Sequence, residues 1–308
     1  LILNAFPSAK VICNAKCRDA LSAHYDISGW KFRVVNSGDS LSIGKRSLTF
    51  IDTPMVHWPE SMFTYVPEEK LLFSMDAFGQ HYASHARFDD ETDLNIVMAE
   101  AKTYFANIVM LYGRQISKVL EQASKLDIQM IAPSHGVIWR KNLASIISAY
   151  RDWVVCKSVP KVLVMYDTMW KSTEKMAGAI AEGVMQSNVE VKVHNVRVTD
   201  ITELATESLD AAVIVCGSPT LNTTLMPQMA AVLTYLKGLK PAGKAGFAFG
   251  SYGWGQNGPA DVEKYLGEMK VNILRSPLVC RFSPSKEVLE ECVEAGRVAA
   301  KEALSLTG

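Results

Sequence analysis

The spacing of apolar and polar positions divides the chain into two parts of different character. In the second part, short apolar runs predict strands at 161–166, 190–196, 211–216, 244–250 and about 277–282. Segments with apolar residues at helical spacing predict helices at 172–187, 226–237, 258–269 and 285–304. Because strands and helices alternate, this part is predicted to form a doubly wound parallel sheet with helices on both faces.

The first part follows a different pattern, in which short strands cluster early and helices follow. Its apolar runs predict strands at 9–13, 31–35, 47–52, 62–66, 70–74 and 128–132. Amphipathic patterns predict helices at about 93–125 and 141–156. Strands joined by tight turns and followed by helices are typical of an α+β fold.

A proline-containing segment separates the two parts. Ser158, Val159 and Pro160 follow the last amphipathic helix of the first part and precede a new apolar strand. Proline between two patterned segments is a linker signal. The sequence therefore predicts two domains, at 1–157 and 161–308.

Composition excludes several classes of protein. The chain has 32 Lys and Arg against 32 Asp and Glu, so its zero net charge does not favour nucleic-acid binding. Its longest apolar runs, such as 211–216, are far too short to span a membrane. The six cysteines include no C-x-x-C pair, which argues against a zinc ribbon or rubredoxin centre. Scattered thiols of this kind predict a cytoplasmic protein.

The loop between the first strand and first helix of the second part is rich in hydroxyl groups. Thr168, Ser172 and Thr173 stand where a helix N-terminus offers free N–H groups to an anion. The G-x-x-x-x-G-K-[ST] and G-x-G-x-x-G fingerprints are absent, so a mononucleotide phosphate is favoured over a nucleoside triphosphate or a dinucleotide. The alternative is that Ser172 only caps the helix.

Two further loops follow the third and fourth strands of this part, at 217–222 and 251–258. Ligands of doubly wound sheets lie at the carboxyl ends of the strands, where all three loops would meet. The three loops resemble the phosphate loop and the two isoalloxazine loops of flavodoxins, which implies FMN. The candidate FMN-binding residues are Thr168, Met169, Trp170, Lys171, Ser172, Thr173, Ser218, Pro219, Thr220, Leu221, Asn222, Ser251, Tyr252, Gly253, Trp254 and Gly255.

Three potential metal ligands of the first part each follow a predicted strand. His57, Asp76 and His135 lie on loops after the strands at 47–52, 70–74 and 128–132. A rigid scaffold presents converging ligands from loops in this way. Each residue taken alone is compatible with a structural role, but the three together favour a metal site.

The motifs around these residues resemble those of the flavodiiron proteins, or A-type flavoproteins, over essentially the whole chain. The matching strings are S-x-D-A-F-G-Q-H at 74–81, S-H-G-V-I-W-R at 134–140 and Y-D-T-M-W-x-S-T-E-K-M at 166–176. The resemblance implies a metallo-β-lactamase-like domain with two non-haem irons, followed by a flavodoxin-like domain. Asp76 would bridge the irons, and His57 and His135 would each bind one. His81 is expected to line the iron pocket and deliver protons, and Trp58 and Trp139 to form an apolar surround.

The resemblance also implies an activity and partners. The expected reactions are reduction of O₂ to water and of NO to N₂O, in which FMN supplies electron pairs to the irons. A separate rubredoxin-like protein is the expected electron donor. The expected assembly is a head-to-tail homodimer, or a dimer of dimers, that brings one subunit's FMN beside the other's irons.

One family motif, H-x-E-x-D-H, is missing from this sequence. The chain is therefore expected to lack a preceding segment that supplies four more iron ligands.

The sequence is also compatible with two other functions. One is an FMN electron-transfer module with a metal-free first domain, and the other is a zinc hydrolase attached to a flavodoxin.

Overall fold

The computed structural model describes residues 1–308 and divides into two compact units, Leu1–Val154 and Val155–Gly308. The six cysteines are all free thiols, as the spacing of the residues suggests. No helix has the length and apolar character needed to cross a lipid bilayer.

The first unit contains five helices and seven strands. Its helices are α1 (Ile2–Ala5), α2 (Ala15–His24), α3 (Leu94–Tyr104), α4 (Gly113–Ala123) and α5 (Leu143–Trp153). Its strands are β1 (Lys10–Cys13), β2 (Lys31–Val34), β3 (Ser40–Ser42), β4 (Ser47–Asp52), β5 (Met62–Val66), β6 (Leu71–Phe73) and β7 (Met130–Ala132). Side-chain caps start two of the helices, since Asn14 and Asp93 accept N–H groups at the first turns of α2 and α3.

The strands of this unit form two sheets. β1 and β2 pair in parallel, and the larger sheet has the order β3-β4-β5-β6-β7. All its pairs are antiparallel except β6–β7. Because β5 runs opposite to both neighbours, β4, β6 and β7 all run in the same direction and end at one edge of the sheet.

Two expectations for this unit were wrong in detail. The strand β3 was not predicted, because Ser40–Ser42 is short and mostly polar. The single helix expected at 93–125 is broken by a wide π-helical turn, Phe105–Val109, and a 3-10 turn, Met110–Tyr112. The wide turn changes the phase of the apolar face, so that Phe105 and Ala106, adjacent in sequence, are both fully buried.

The second unit contains five helices and six strands. Its strands are β8 (Val159–Tyr166), β9 (Glu190–Asn195), β10 (Ala211–Gly217), β11 (Ala245–Tyr252), β12 (Asn272–Ile273) and β13 (Leu278–Arg281). Its helices are α6 (Ser172–Met185), α7 (Ile201–Asp210), α8 (Pro227–Leu239), α9 (Asn257–Glu268) and α10 (Lys286–Thr307). Helix α7 was not predicted, although Asp200 caps it by accepting the Thr202 N–H and Glu203 completes the D-x-x-E signal.

The sheet of this unit has the order β12-β11-β10-β8-β9, with β13 also pairing with β11, and every pair is parallel. All seven residues of β10 are buried, as expected for a strand covered on both faces. The order reverses at β8, since β9 lies on one side and β10 on the other. This is the point at which such sheets bind ligands.

Helices α6 and α10 approach closely because glycines face each other between them. A Cβ on Gly183 would lie 1.9 Å from the Val293 carbonyl oxygen, and one on Gly296 would lie 2.0 Å from that of Ile180. Gly178, on the same helix as Gly183, has nothing within 4 Å of the corresponding position. The contact therefore requires glycine at 183 and 296 but not at 178.

Gly183→Ala is expected to lower the free energy of unfolding of the second unit by about 1–3 kcal/mol, because the helices must separate. Gly178→Ala is the matched control and should raise it by about 0.5–1 kcal/mol through helix propensity. Urea denaturation measures both. Equal effects of the two substitutions would show that α6 and α10 do not pack as described.

Candidate metal and flavin sites

His57, Asp76 and His135 lie at one edge of the larger sheet of the first unit. They follow β4, β6 and β7, the three strands of that sheet that run in the same direction. The direction of the strands therefore brings together side chains that are up to 78 positions apart in sequence. The carboxylate of Asp76 is the most enclosed of the three, with 19% of its side chain exposed.

Each oxygen of the Asp76 carboxylate faces a different imidazole. His57 Nε2 lies 3.2 Å from Asp76 Oδ2, and His135 Nε2 lies 3.3 Å from Asp76 Oδ1. The two histidines thus occupy opposite sides of one carboxylate. This is the arrangement of a carboxylate that bridges two metal ions, with an imidazole for each ion.

These three side chains fit part of a binuclear metal centre. In the 308 residues described, no three or more His, Cys, Asp or Glu side chains are grouped as ligands of a single ion. The Asp76 carboxylate presents one oxygen to each imidazole, so it can be shared between two positions. Each position then has one imidazole and one carboxylate oxygen from this chain.

Buried aromatic groups fix the loop that carries Asp76. The Phe78 N–H donates to Tyr150 Oη at 2.7 Å, and the Phe78 carbonyl accepts from Trp139 Nε1 at 2.8 Å. Trp139 and Tyr150 are almost fully buried, so water does not compete for these bonds. Trp139 therefore supports the loop as a hydrogen-bond donor as well as an apolar surface, whereas Trp58 is 59% exposed and encloses little.

Gln80 joins the Asp76 loop to the His135 loop. Its buried amide donates to the carbonyls of Phe78, at 2.9 Å, and Val137, at 3.4 Å, while its Oε1 accepts from Val137 N–H at 2.7 Å. The Gln80 N–H also donates to the His135 carbonyl at 3.3 Å. One buried side chain thus sets the spacing between two of the three candidate ligands.

His81 and Tyr104 lie beside His135. The His81 ring makes edge contacts with His135, at a centroid distance of 5.6 Å, and with Tyr104, at 4.8 Å. Burial, and then the negative charge of Asp76, raise the pKa of the Tyr104 phenol well above its usual range. Tyr104 therefore keeps its proton at neutral pH. Sequence analysis missed it, since a tyrosine on an apolar helix face carries no local signal.

The three candidate FMN loops lie together at one edge of the second unit's sheet. They follow β8, β10 and β11, which are neighbours in the sheet and parallel. Between them is a cleft of about 600 Å³, within the usual size of a cofactor site. Trp170 and Trp254, at its edges, are 87% and 93% exposed and offer flat apolar faces.

Most of the residues predicted to bind FMN line this cleft. They are Met169, Trp170, Ser172, Pro219, Thr220, Asn222, Ser251, Tyr252, Gly253, Trp254 and Gly255. Five others lie in the same loops without lining it, namely Thr168, Lys171, Thr173, Ser218 and Leu221. The structure adds Thr223, Phe282 and Ser283 to the lining. Phe282 and Ser283 follow β13, in a short loop, 282–285, that contains no glycine.

Hydrogen bonds between the loops hold the cleft in shape. Thr173 Oγ1 and Ser251 Oγ lie 3.2 Å apart, which joins the first loop to the third. Thr220 Oγ1 accepts the Gly258 N–H at 3.0 Å, which joins the second loop to the start of α9. The Phe282 N–H donates to the Tyr252 carbonyl at 2.7 Å. These bonds fix the relative positions of the loops that line the cleft.

The Thr168 hydroxyl of the first loop is buried without a partner. Thr168 Oγ1 is enclosed and makes no hydrogen bond. An unsatisfied buried hydroxyl costs free energy, which a phosphate oxygen accepting from it would recover. With the N–H groups at the start of α6 nearby in sequence, this hydroxyl fits the phosphate of a mononucleotide cofactor.

Comparison with known proteins identifies the family. A model described as the ODP family beta lactamase matches residues 1–136, and a flavodoxin model matches residues 164–296. A nitric oxide reductase of Moorella thermoacetica is 44% identical over 299 residues, which are 96% of this chain and 75% of that protein. The chain belongs to the flavodiiron family.

Solved flavodiiron structures support the same conclusion. The flavodiiron protein of Giardia intestinalis is 37% identical with a TM-score of 0.95, over 98% of this chain and 75% of that one. Rubredoxin oxygen:oxidoreductase of Desulfovibrio gigas is 32% identical with a TM-score of 0.96, over 99% and 77%. The predicted lactamase-like and flavodoxin-like folds are confirmed, and so is the predicted class, a flavodiiron oxidoreductase with FMN and non-haem di-iron.

Gln80→Glu is expected to destabilise the first unit by about 2–4 kcal/mol, because a carboxylate cannot donate to the Phe78 and Val137 carbonyls. Urea denaturation measures the change. Gln122→Glu, on the exposed surface of α4, is the control and should alter stability by less than about 0.5 kcal/mol. A Gln80→Glu protein as stable as the control would contradict the bridging role of Gln80.

Proposed function

We propose that this chain reduces O₂ to water, NO to N₂O, or both, at a di-iron site in the 1–157 domain that is supplied with electrons by FMN in the 161–308 domain. The observation that carries the proposal is the position of Asp76 between His57 and His135, one imidazole on each carboxylate oxygen. A flavin module with a metal-free first domain is not favoured, because such a module has no use for this arrangement.

The chain's own residues have distinct parts in this proposal. His57, Asp76 and His135 would hold the irons, and iron bound there would supply the redox chemistry for reducing the gas, with electrons from FMN. The Tyr104 phenol and the His81 ring, which contact each other and lie beside His135, would place O–H and N–H groups near the bound gas. Both reactions consume protons, so groups that carry exchangeable protons beside the site are useful there.

In the second unit, we assign the hydroxyl groups of Thr168 and Ser172 to the FMN phosphate. The exposed rings of Trp170 and Trp254, with the half-buried ring of Tyr252, would hold the isoalloxazine ring. This division places a polar anchor at the helix start and flat apolar surfaces at the mouth of the cleft. The remaining predicted loop residues shape the backbone around the ring.

Partners follow from the same assignment. Rubredoxin is the donor named for the Desulfovibrio gigas relative, and a rubredoxin-like protein is our proposed donor here. A head-to-tail homodimer, or a dimer of such dimers, would bring one subunit's FMN to the other's irons, and two-fold assemblies are the commonest. Analytical ultracentrifugation of the cofactor-loaded protein tests this, and a monomer at micromolar concentration would contradict it.

Iron, zinc and FMN content per chain, measured on protein purified without oxygen, tests the assignment. We expect about one FMN and up to about two irons, with little zinc. Asp76→Ala should remove the iron and leave the flavin spectrum intact, because the sites lie on separate units.

Thr168→Ala with Ser172→Ala should raise the FMN dissociation constant about tenfold and leave the iron content unchanged.

Each site has its own contradicting result. Zinc in place of iron would favour the hydrolase alternative. Absence of metal from protein that also carries an H-x-E-x-D-H segment would favour the flavin module. Loss of FMN from Asp76→Ala would show that the two sites are not independent. Unchanged FMN retention in the double variant would show that the phosphate is held elsewhere.

A further inference from the structure

A buried acid lies at the base of the candidate phosphate loop. Asp167 immediately follows β8, and none of its side chain is exposed. Its Oδ1 accepts the Thr168 N–H at 2.7 Å and Arg197 Nε at 2.5 Å, while its buried Oδ2 has no hydrogen-bond partner. The carboxylate therefore fixes the backbone from which the phosphate loop starts.

The parallel pairing of β8 and β9 delivers Arg197 to this acid. Tyr166 is opposite Asn195 in the register, and the Val196 N–H donates to the Tyr166 carbonyl at 3.0 Å, just beyond β9. The Asn195 side chain then accepts the Arg197 N–H at 3.0 Å and turns the chain. The arginine is 43% exposed and reaches the acid from the solvent side.

The position of Asp167 creates an electrostatic problem for an FMN site. A phosphate monoester carries a charge of about −1.5 to −2 near neutral pH. A buried carboxylate next to Thr168 would repel it, because buried charges are poorly screened. Lys171, the cation within the loop, has an exposed side chain, so its charge is screened by solvent.

We propose that Arg197 is a positioning residue of the FMN site that acts by neutralising Asp167. The inference rests on the proposed FMN function and extends it to a residue outside the three loops. Paired with Arg197, Asp167 can hold the Thr168 N–H without opposing the phosphate. The pair differs from ordinary surface ion pairs, which contribute little, because its acid is completely buried.

If Arg197 acts through charge on the FMN phosphate, replacing it should affect binding of FMN and riboflavin differently. Loss of Arg197 should weaken binding of FMN but not of riboflavin, which has the same ring and no phosphate. Adding Asp167→Asn to the same protein should restore FMN binding, since the asparagine amide keeps an oxygen that can accept the Thr168 N–H. A general loss of loop structure would affect both flavins and would not be restored.

FMN and riboflavin are each titrated with the flavin-free 308-residue chain. Quenching of the flavin fluorescence measures binding. Arg197→Gln should raise the FMN dissociation constant about tenfold and change that of riboflavin by less than about twofold. Added salt should reduce the loss for FMN. Arg197→Gln with Asp167→Asn should return FMN binding to near the wild-type value.

Arg275→Gln is the matched control, since Arg275 pairs with Glu291 and does not line the cleft. It should leave both dissociation constants unchanged. Equal weakening of FMN and riboflavin, no weakening by Arg197→Gln, or no rescue by Asp167→Asn would each overturn the inference alone. Failure of the wild-type chain to bind FMN would overturn the proposed flavin site, and this inference with it.

Discussion

Strands that run in the same direction end at the same edge of a sheet, and both candidate sites depend on this constraint. In the first unit, β5 runs opposite to its neighbours, so β4, β6 and β7 share an edge and present His57, Asp76 and His135 together. In the second unit, the parallel strands β8, β10 and β11 do the same for the three flavin loops. The candidate residues are distant in sequence, but the direction of the strands brings them to the same edge of each sheet.

Buried polar groups then set the fine geometry that the sheets alone would not provide. Tyr150 and Gln80 hold the backbone around Asp76, and Asp167 holds the start of the phosphate loop. Buried polar atoms are mostly hydrogen-bonded in folded proteins, because water does not reach them. The same requirement explains why Thr168 Oγ1, buried and unsatisfied, indicates a ligand.

Both folds and most of the candidate site residues could be predicted from the sequence, because strands, loops and candidate ligand residues carry local signals. The order of strands and loops gave the two folds, and the motifs at 74–81, 134–140 and 166–176 gave the family. Tyr104, Phe282 and Arg197 could not be found in this way, since their roles come from packing between distant segments. The break in the helix expected at 93–125 has the same origin, because only tertiary packing selects the π-helical turn at Phe105–Val109. Helix α7, in contrast, could have been predicted, since its capping signal was present in the sequence.

The account's central claim is that electrons from the flavin reach the gas through metal bound at Asp76. The most direct measurement is product analysis after the iron- and FMN-loaded chain, fully reduced without oxygen, is mixed with O₂ or, separately, with NO. The account predicts consumption of O₂ without hydrogen peroxide, formation of N₂O from NO, or both. Stoichiometric hydrogen peroxide from O₂ together with no N₂O from NO would show that the flavin reacts alone, and would contradict it.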